Sequence, residues 1–423
     1  MTIHVLALYS TSQDPLLMAP ILECLARDAR FRFTIISTEN SARMMKGFPR
    51  EAIAYAPEFS AAPTAPPQCT VVVDPAMRYA DWYKAEAEAL ATEAEAAVIK
   101  AGGWLANLSP DIIVGRVSPT PPIREIVLAA RMLGIPTVNA EHGVSSLVRN
   151  DLDDGQSLRF HGKWAESLLF DYFGCWGEAI CDVMVDHGWH RDRLFVHGCP
   201  DFDQIAEYRS GPFRKKSRSH FGIGDDVRVV ALPGRPLLYT AREFPAVCLG
   251  SSKEVALWYE MLFSAISEFP DSILLVKNHP LLAGESEEAL QRELVPPGVR
   301  IRWVNVEEDI WRFISAADLV VGHPGSTTDF HALALGRPLI SLMLPDQTQR
   351  YMVIEEALSP CARDREGLLC HLLSPDAPPT GPLKKFLSSY IGPLDGRATE
   401  RLVERLAEIV EERRSRNSLT ASD

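Results

Sequence analysis

The chemically richest stretch of the sequence lies between residues 318 and 342. An apolar run at 319–321 leads there into a short turn that contains Gly325, Ser326 and Thr327. A run without polar alternation is typical of a buried parallel strand, and Ser326 is a favourable N-cap for a following helix. Backbone N–H groups at a helix N-terminus bind phosphate. We therefore predict a phosphate site at this turn, although a plain strand–turn–helix unit has the same spacing.

Polar residues also follow several other strand-like runs. Open α/β sheets bind ligands beyond the carboxyl ends of their strands, so residues at those ends are functional candidates. The residues at such positions are Arg116, Glu141, His142, Gly234, Arg235, His279 and His323.

In the first half of the chain, His142 is the candidate general base, or a contact for acceptor and phosphate, because imidazole titrates near neutral pH. Glu141 is the alternative base. Arg116 is a candidate for holding an anionic group, and a surface salt bridge is its other interpretation.

In the second half, Gly234 and Arg235 are candidate phosphate contacts, since the planar fork of arginine binds phosphate bidentately. His279 is a candidate donor to a phosphate leaving group, and the alternative is a hydrogen bond to a neighbouring carbonyl. His323 has either a phosphate-binding role or a role in shaping the turn.

Composition narrows the class of protein. A chain of 423 residues with 46% hydrophobic residues can bury large cores and suggests about two to three domains. The net charge of −13 argues against a surface for nucleic acid. There is no basic N-terminal region and no apolar run of the ~20 residues that a membrane span needs. The eight cysteines form no Cys-x-x-Cys pair, so we expect reduced thiols in a cytoplasmic protein.

Two series of alternating strands and helices organise the chain. They lie on either side of a charge-rich segment at 209–220, and such alternation predicts doubly wound parallel sheets. We therefore predict a Rossmann-like domain at 1–205, a linker at 206–222 and a second Rossmann-like domain at 223–395. A helix at 396–414 and a disordered tail at 415–423 complete the predicted chain.

Four segments carry a resemblance to a known family. They are residues 175–177 with 194–203, the sequence Lys277-Asn278-His279-Pro280, the turn Gly325-Ser326-Thr327, and Asp395-Gly396-Arg397-Ala398. In this order they resemble GT-B glycosyltransferases of bacterial surface-polysaccharide synthesis. These include CDP-glycerol glycerophosphotransferases and sialyltransferases with a His-Pro motif. UDP-N-acetylglucosamine 2-epimerases are a more distant resemblance.

The resemblance implies an α/β GT-B architecture with an interdomain cleft and a C-terminal helix that crosses back to the first domain. It also implies that the second domain binds a nucleotide-activated donor, with His279 at the donor phosphate. One position departs from the pattern. GT-B transferases often carry an acidic residue for the ribose hydroxyls where this chain has His331. Asp329 lies about 200° around the helix from that face and cannot replace it, so the donor stays open.

We therefore predict a transferase that moves a sugar or polyol phosphate to a glycan, lipid-linked or small-molecule acceptor. No cofactor is expected, and a peripheral contact with a membrane stays open. We expect metal independence because no Asp-x-Asp pair follows a strand. The alternative is a bound cation, for which the sequence offers two groups of candidate ligands. They are Asp151, Asp153 and Asp154, and the histidines at 187, 190 and 197.

Two other functions stay open. An epimerase of the same fold would carry a Gly-Gly-x-x-Glu-Glu segment where this chain has Gly-Ser-Thr-Thr-Asp-Phe-His. A non-catalytic nucleotide-sugar-binding protein is the third interpretation, and the change to His331 favours it.

Overall fold

The structure is a computed structural model. In it the chain folds into two compact units. The structure describes residues 2–8, 14–37, 53–55, 95–116, 123–141, 148–149, 169–186, 189–234, 237, 251–279, 286–344 and 350–420. Unit 1 comprises Met1–His142, Phe160–Asp203 and Ser388–Asp423, and unit 2 comprises Gly143–Arg159 and Gln204–Leu387.

Strands and helices alternate along the first half of the described chain. They are β1 (Ile3–Leu8), α1 (Asp14–Arg27), β2 (Phe31–Ser37), β3 (Ile53–Tyr55), α2 (Glu95–Leu108), β4 (Ile112–Gly115), α3 (Ile123–Met132), β5 (Thr137–Ala140), β6 (Val148–Arg149), β7 (Tyr172–Cys175), α4 (Glu178–Asp186) and β8 (Leu194–Val196).

The alternation continues through the second half. The elements are α5 (Ile205–Tyr208), α6 (Gly211–His220), β9 (Arg228–Pro233), α7 (Ser252–Ile266), β10 (Ser272–Lys277), α8 (Ser286–Glu293), β11 (Ile301–Val304), α9 (Ile310–Ala316), β12 (Leu319–Gly322), α10 (Thr327–Ala334), β13 (Leu339–Leu342), β14 (Arg350–Tyr351), α11 (Met352–Glu355), β15 (Cys361–Ala362), α12 (Arg365–Leu373), α13 (Thr380–Ile391) and α14 (Ala398–Thr420).

Unit 1 is built on a parallel sheet with the strand order β3-β2-β1-β4-β5-β7-β8. All six residues of β1 are buried, as expected for a strand that is covered on both faces. Leu6 and Leu8 pack with α2 and α3 on one face, whereas Val5 and Ala7 pack with α1 and α14 on the other.

Unit 2 contains a second parallel sheet, with the order β11-β10-β9-β12-β13-β15. Both β10 and β12 pair with β9, so the carboxyl ends of these three strands lie side by side. Their apolar side chains pack with α7 and α12 in one core cluster. A two-stranded antiparallel sheet joins β6 to β14.

The segment predicted as a linker is folded into unit 2. Ser210 caps α6 by accepting a hydrogen bond from the N–H of Phe213, and α6 packs against α9. Arg218 is 3% exposed because its guanidinium donates to the carbonyls of Gly224, Asp225 and Val227. Most of α6 is exposed or half-buried, and Arg218 can be buried because backbone carbonyls satisfy its donors.

The C-terminus differs from the sequence prediction in two ways. The second unit ends at Leu387, and the residues that follow belong to unit 1. Helix α14 extends to Thr420, through much of the predicted disordered tail. No described helix combines the length and the apolar character needed to cross a membrane.

Candidate functional site

The carboxyl ends of β9 and β10 meet at Gly234. Its backbone N–H donates to the carbonyl of Lys277 at 2.7 Å. A Cβ atom at Gly234 would lie 2.9 Å from Cα of Asn278 and 3.1 Å from the backbone nitrogen of His279. Only glycine fits this approach without displacing backbone. The structure thus brings together two of the predicted donor-side positions, Gly234 and His279.

Two polar side chains surround this junction. Asn278 is 4% exposed, and its Oδ1 has no hydrogen-bond partner among the described residues. His279 is half-buried. Lys277 points its Nζ at the carbonyl of Val306 at 2.6 Å, and burial lowers its pKa. The junction therefore presents an amide oxygen and an accessible imidazole.

The turn after β12 has the predicted form of a helix N-terminus. Ser326 is the N-cap of α10, and Gly325 has a φ of +88°, which glycine adopts readily. His323 is 3% exposed, its Nδ1 lies 3.1 Å from the carbonyl oxygen of Pro324, and its ring meets Tyr351 edge to face. These contacts favour the turn-shaping interpretation of His323.

A carboxylate of the chain itself caps this turn. Oδ2 of Asp329 accepts hydrogen bonds from the N–H groups of Gly325 at 2.7 Å and Ser326 at 3.2 Å. The hydroxyl of Thr328 donates to Oγ of Ser326 at 2.8 Å. Asp329 is 3% exposed. Two N–H groups at the predicted phosphate turn therefore already donate to an acidic group.

His331 lies on the buried side of α10. It is 5% exposed, its Nδ1 lies 2.8 Å from the carbonyl oxygen of Thr327, and its ring centroid is 4.5 Å from that of Trp311. Trp311 in turn stacks on Tyr208 at 4.6 Å. The structure thus places His331 in the packing between α10 and α9.

In unit 1, Arg116 lies at the end of β4 and is fully buried. Its Nε donates to the carbonyl of Glu141 at 3.0 Å, and its two terminal nitrogens lie 3.3 and 3.5 Å from the carboxylate of Asp201. The guanidinium also lies 5.8 Å from the ring centroid of Trp176. Arg116 is therefore part of an internal polar cluster. The salt bridge given as its alternative is formed with Asp201, but its guanidinium is buried and does not lie at the surface.

Glu141 belongs to the same cluster. Its Oε2 accepts a hydrogen bond from the backbone N–H of Trp176 at 2.8 Å, and its Oε1 has no partner among the described residues. Desolvation by burial raises the pKa of Glu141 well above its usual value, and the Trp176 hydrogen bond and the Arg116 charge oppose this only in part. A raised pKa lowers the ionised fraction that a general base needs.

Of the three histidines considered for a cation, His187 lies outside the described residues. His197 follows β8. It is completely buried, and its two ring nitrogens lack hydrogen-bond partners among the described residues. Burial, with the charges of Arg116 and Arg401, lowers its pKa to about 3, so its ring is neutral. The described residues include no group of three or more His, Cys, Asp or Glu side chains that could hold a metal ion.

Two predicted site residues, His142 and Arg235, lie outside the described residues. The Asp151, Asp153 and Asp154 group lies outside them as well. Gly234, His279, His323, Gly325, Ser326 and Thr327 all follow strands of the unit 2 sheet.

Comparison with known proteins identifies the architecture. No protein-family model matches the chain, and no curated protein matches it. The chain is similar in structure to UDP-GlcNAc 2-epimerase from Neisseria meningitidis bound to UDP-GlcNAc. The TM-score is 0.61 at 14% identity, covering 96% of this chain and 100% of that chain. The protein has the GT-B fold.

Other GT-B structures match over similar lengths. The wall teichoic acid polymerase TagF has a TM-score of 0.58 at 13% identity, covering 98% of this chain and 90% of that chain. A glycosyltransferase from Rickettsia africae ESF-5 has a TM-score of 0.51 at 13% identity, covering 97% and 98%. The predicted α/β architecture of two parallel sheets with flanking helices is confirmed.

Proposed function

We propose that the protein is a transferase that moves a sugar or polyol phosphate from a nucleotide-activated donor to a glycan, lipid-linked or small-molecule acceptor. The observation that carries the proposal is the junction of Gly234, Asn278 and His279 at the carboxyl ends of β9 and β10. Ligands of open α/β sheets bind at such ends. The GT-B fold, which is shared with a teichoic acid polymerase and a glycosyltransferase, supports the donor class.

The proposed chemistry depends on charge that develops on the leaving group. The acceptor oxygen forms a bond to the transferred group while the bond to the nucleotide phosphate breaks, and that phosphate gains negative charge. A preorganised donor at this position stabilises the transition state. His279 is the proposed donor because it lies at a strand end and is only half-buried.

We assign the phosphate contact first to the Gly234–His279 junction and second to the turn at Ser326. An anion at that turn must compete with the carboxylate of Asp329, which already accepts from two backbone N–H groups. The hydroxyls of Ser326 and Thr327 remain candidates for a contact at the edge of the turn. We propose that the reaction needs no metal ion and no further cofactor.

An epimerase is the second candidate, and the structural likeness to the Neisseria meningitidis UDP-GlcNAc 2-epimerase favours it. Against it, the segment after Gly325 holds one acidic residue, Asp329, which caps its own helix. A carboxyl group in that position is engaged with backbone N–H groups and is not turned to a substrate.

A panel of UDP-, GDP- and CMP-sugars and CDP-glycerol separates these functions. A transferase slowly releases free nucleotide by hydrolysis when no acceptor is present, and nucleotide release is measured by anion-exchange chromatography. An epimerase converts its sugar nucleotide to a second one without losing the nucleotide. Thermal stabilisation without turnover on any donor would contradict an enzymatic function, because ligand binding alone raises the melting temperature.

A further inference from the structure

Three arginine side chains lie around one aspartate at the amino edge of the unit 2 sheet. Asp318 precedes β12, and its backbone N–H donates to the carbonyl of Val229 at 2.9 Å, near the start of β9. Arg214 and Arg218, both in α6, form ion pairs with its carboxylate. Arg337 lies in the connection between α10 and β13. We call these four side chains the arginine cluster, and all of them belong to unit 2.

Both oxygens of the Asp318 carboxylate accept hydrogen bonds from within the chain. Oδ2 accepts from Nη2 of Arg218 at 2.8 Å and from the N–H of Val229 at 2.7 Å, and Oδ1 accepts from Nη2 of Arg214. Arg218 also donates from Nε to the carbonyl of Ala316 at 3.1 Å, besides the three carbonyls described above. Three positive charges against one negative charge leave the cluster with a surplus of two positive charges.

Arg337 and Arg214 leave most of their hydrogen-bond donors unused. Nη2 of Arg337 donates to the carbonyl of Ser315 at 3.1 Å, one residue before the carbonyl that Arg218 uses. Among the described residues, Arg337 forms no ion pair, and Arg214 bonds only to Asp318. In both side chains Nε is buried without a partner in the described part of the chain. A guanidinium has five N–H donors, so each group has donors left for a further acceptor.

The end of α9 offsets only part of this positive charge. Its last carbonyls accept from Arg337 and Arg218, but a helix C-terminus carries only about half of a negative charge. Burial and the neighbouring charge of Arg214 lower the pKa of Arg337 to about 10, and the charge of Asp318 opposes this only in part. Arg337 is therefore still a cation at neutral pH, and it lies close to other cations.

We propose that Arg337 and Arg214 bind a dianionic oxyanion, a phosphate or sulfate group, at the amino edge of the unit 2 sheet. The planar fork of arginine binds such a group bidentately, and two negative charges match the surplus of the cluster. The side chain of Arg214 is 35% exposed and Arg337 is half-buried, so both can be reached from solvent.

This site is distinct from the proposed donor junction. Gly234 follows the carboxyl end of β9, whereas the arginine cluster lies at the amino ends of β9, β12 and β13. The six residues of β9 separate the two edges by about 20 Å, at ~3.3 Å per residue. The inference goes beyond the proposed function and does not depend on it.

The test measures thermal unfolding in sodium phosphate and in sodium chloride at the same ionic strength. A ligand that binds only the folded state raises the melting temperature by mass action, and equal ionic strength gives equal screening. We expect the unmodified protein to show a saturable stabilisation by phosphate. Arg337→Gln should weaken phosphate binding by about tenfold, because it removes one charge-assisted contact. Arg337→Lys keeps the charge without the fork and should fall between the two, and it replaces Arg337→Gln if that variant does not fold.

Arg300→Gln is the matched control. Arg300 is an exposed arginine of unit 2 that likewise donates to one backbone carbonyl, that of Asp271 at 3.5 Å. This variant should keep the phosphate affinity of the unmodified protein. It also keeps the general stabilisation that phosphate gives by exclusion from protein surfaces. Equal phosphate affinities of Arg337→Gln and Arg300→Gln would overturn the proposal.

Two further measurements locate the anion and its source. His279→Ala is expected to leave the difference between the unmodified protein and Arg337→Gln unchanged. Loss of that difference in the His279→Ala background would overturn the proposal, because phosphate would then bind at the strand junction. Glycerol 3-phosphate is the second probe. Tighter binding than inorganic phosphate, lost in Arg337→Gln, would support a site for the phosphate group of a small molecule, and weaker binding would support a site for the free anion.

Discussion

The carboxylate of Asp329 accepts a hydrogen bond of 2.7 Å from the backbone N–H of Gly325. The same oxygen accepts a hydrogen bond from the N–H of Ser326 at 3.2 Å. The partial positive charge at the N-terminus of α10 is therefore offset by a carboxylate of the same chain. Acidic groups at this end of a helix are stabilising. The same charge repels a phosphate that approaches the turn, and this opposition can be measured.

Asp329→Asn is expected to destabilise the protein by about 1 kcal/mol, because it weakens a helix cap. It is also expected to tighten the binding of UDP several-fold if phosphate contacts the turn, since it removes a like charge. Urea unfolding and calorimetry measure the two effects. Weaker UDP binding at a temperature where both proteins are fully folded would show that the carboxylate assists the ligand.

His279→Ala is expected to lower kcat/KM. The expected loss of transition-state stabilisation is about 2–4 kcal/mol, the size found when a preorganised donor to developing charge is lost. The measurement is nucleotide release from the best donor of the panel. His190→Ala is the control, because His190 is exposed and its side chain makes no capping hydrogen bond. An unchanged kcat/KM in folded His279→Ala would remove this residue from the site.

Gly234→Ala is expected to disrupt the junction, since the added Cβ would lie 2.9 Å from a backbone atom of Asn278. Weaker UDP binding should accompany a loss of stability of about 1–3 kcal/mol, the range for overpacking. Gly381→Ala is a matched control, because nothing lies within 4 Å of its added Cβ. Equal effects of the two variants on UDP binding and on stability would show that Gly234 does not lie this close to Asn278.

Glu141→Gln is expected to be more stable than the unmodified protein, by a margin that grows as the pH rises. The pKa of Glu141 is raised in the folded state, so above the unfolded value of about 4.5 the folded state binds more protons than the unfolded state. The stability of the unmodified protein therefore falls through this window until the pH exceeds the raised pKa.

Urea unfolding of both proteins between pH 4 and pH 8 checks this prediction. Glutamine keeps an oxygen for the Trp176 N–H, so the hydrogen bond is preserved in the comparison. A margin that stays constant with pH would show that Glu141 titrates normally in the folded protein.

The sequence predicted the sheets because their strands are apolar runs without alternation, as at 319–321. It also predicted the N-cap at Ser326. It did not predict the cap by Asp329, although Ser326 and Asp329 have the spacing of a capping box. The spacing of Ser326 and Asp329 indicated an internal cap, but we assigned the N–H groups of the turn to phosphate alone.

Other features depend on contacts that sequence spacing does not show. Arg218 lies in the charge-rich segment that was predicted as a linker, and its burial depends on three carbonyls from a later turn. His331 was compared with a ribose-binding acid, whereas the ring packs against Trp311 from another helix. Glu287 and Leu237 lie far apart in sequence and meet only once β9, β10 and α8 are assembled.

The last prediction concerns the metal independence of the reaction. The proposed phosphate contacts are the imidazole of His279 and the hydroxyls of Ser326 and Thr327, which can stabilise negative charge without a cation. Nucleotide release should therefore continue in EDTA. Ser326→Leu should reduce it strongly, because the larger side chain fills the turn. Ser326→Ala should have a smaller effect, because it removes one hydroxyl contact and the helix cap, about 1 kcal/mol of stability. Complete loss of turnover in EDTA, restored by Mg²⁺ or Mn²⁺, would show that a metal ion carries the phosphate charge. Equal activity of Ser326→Leu and the unmodified protein would place the phosphate at the Gly234–His279 junction alone.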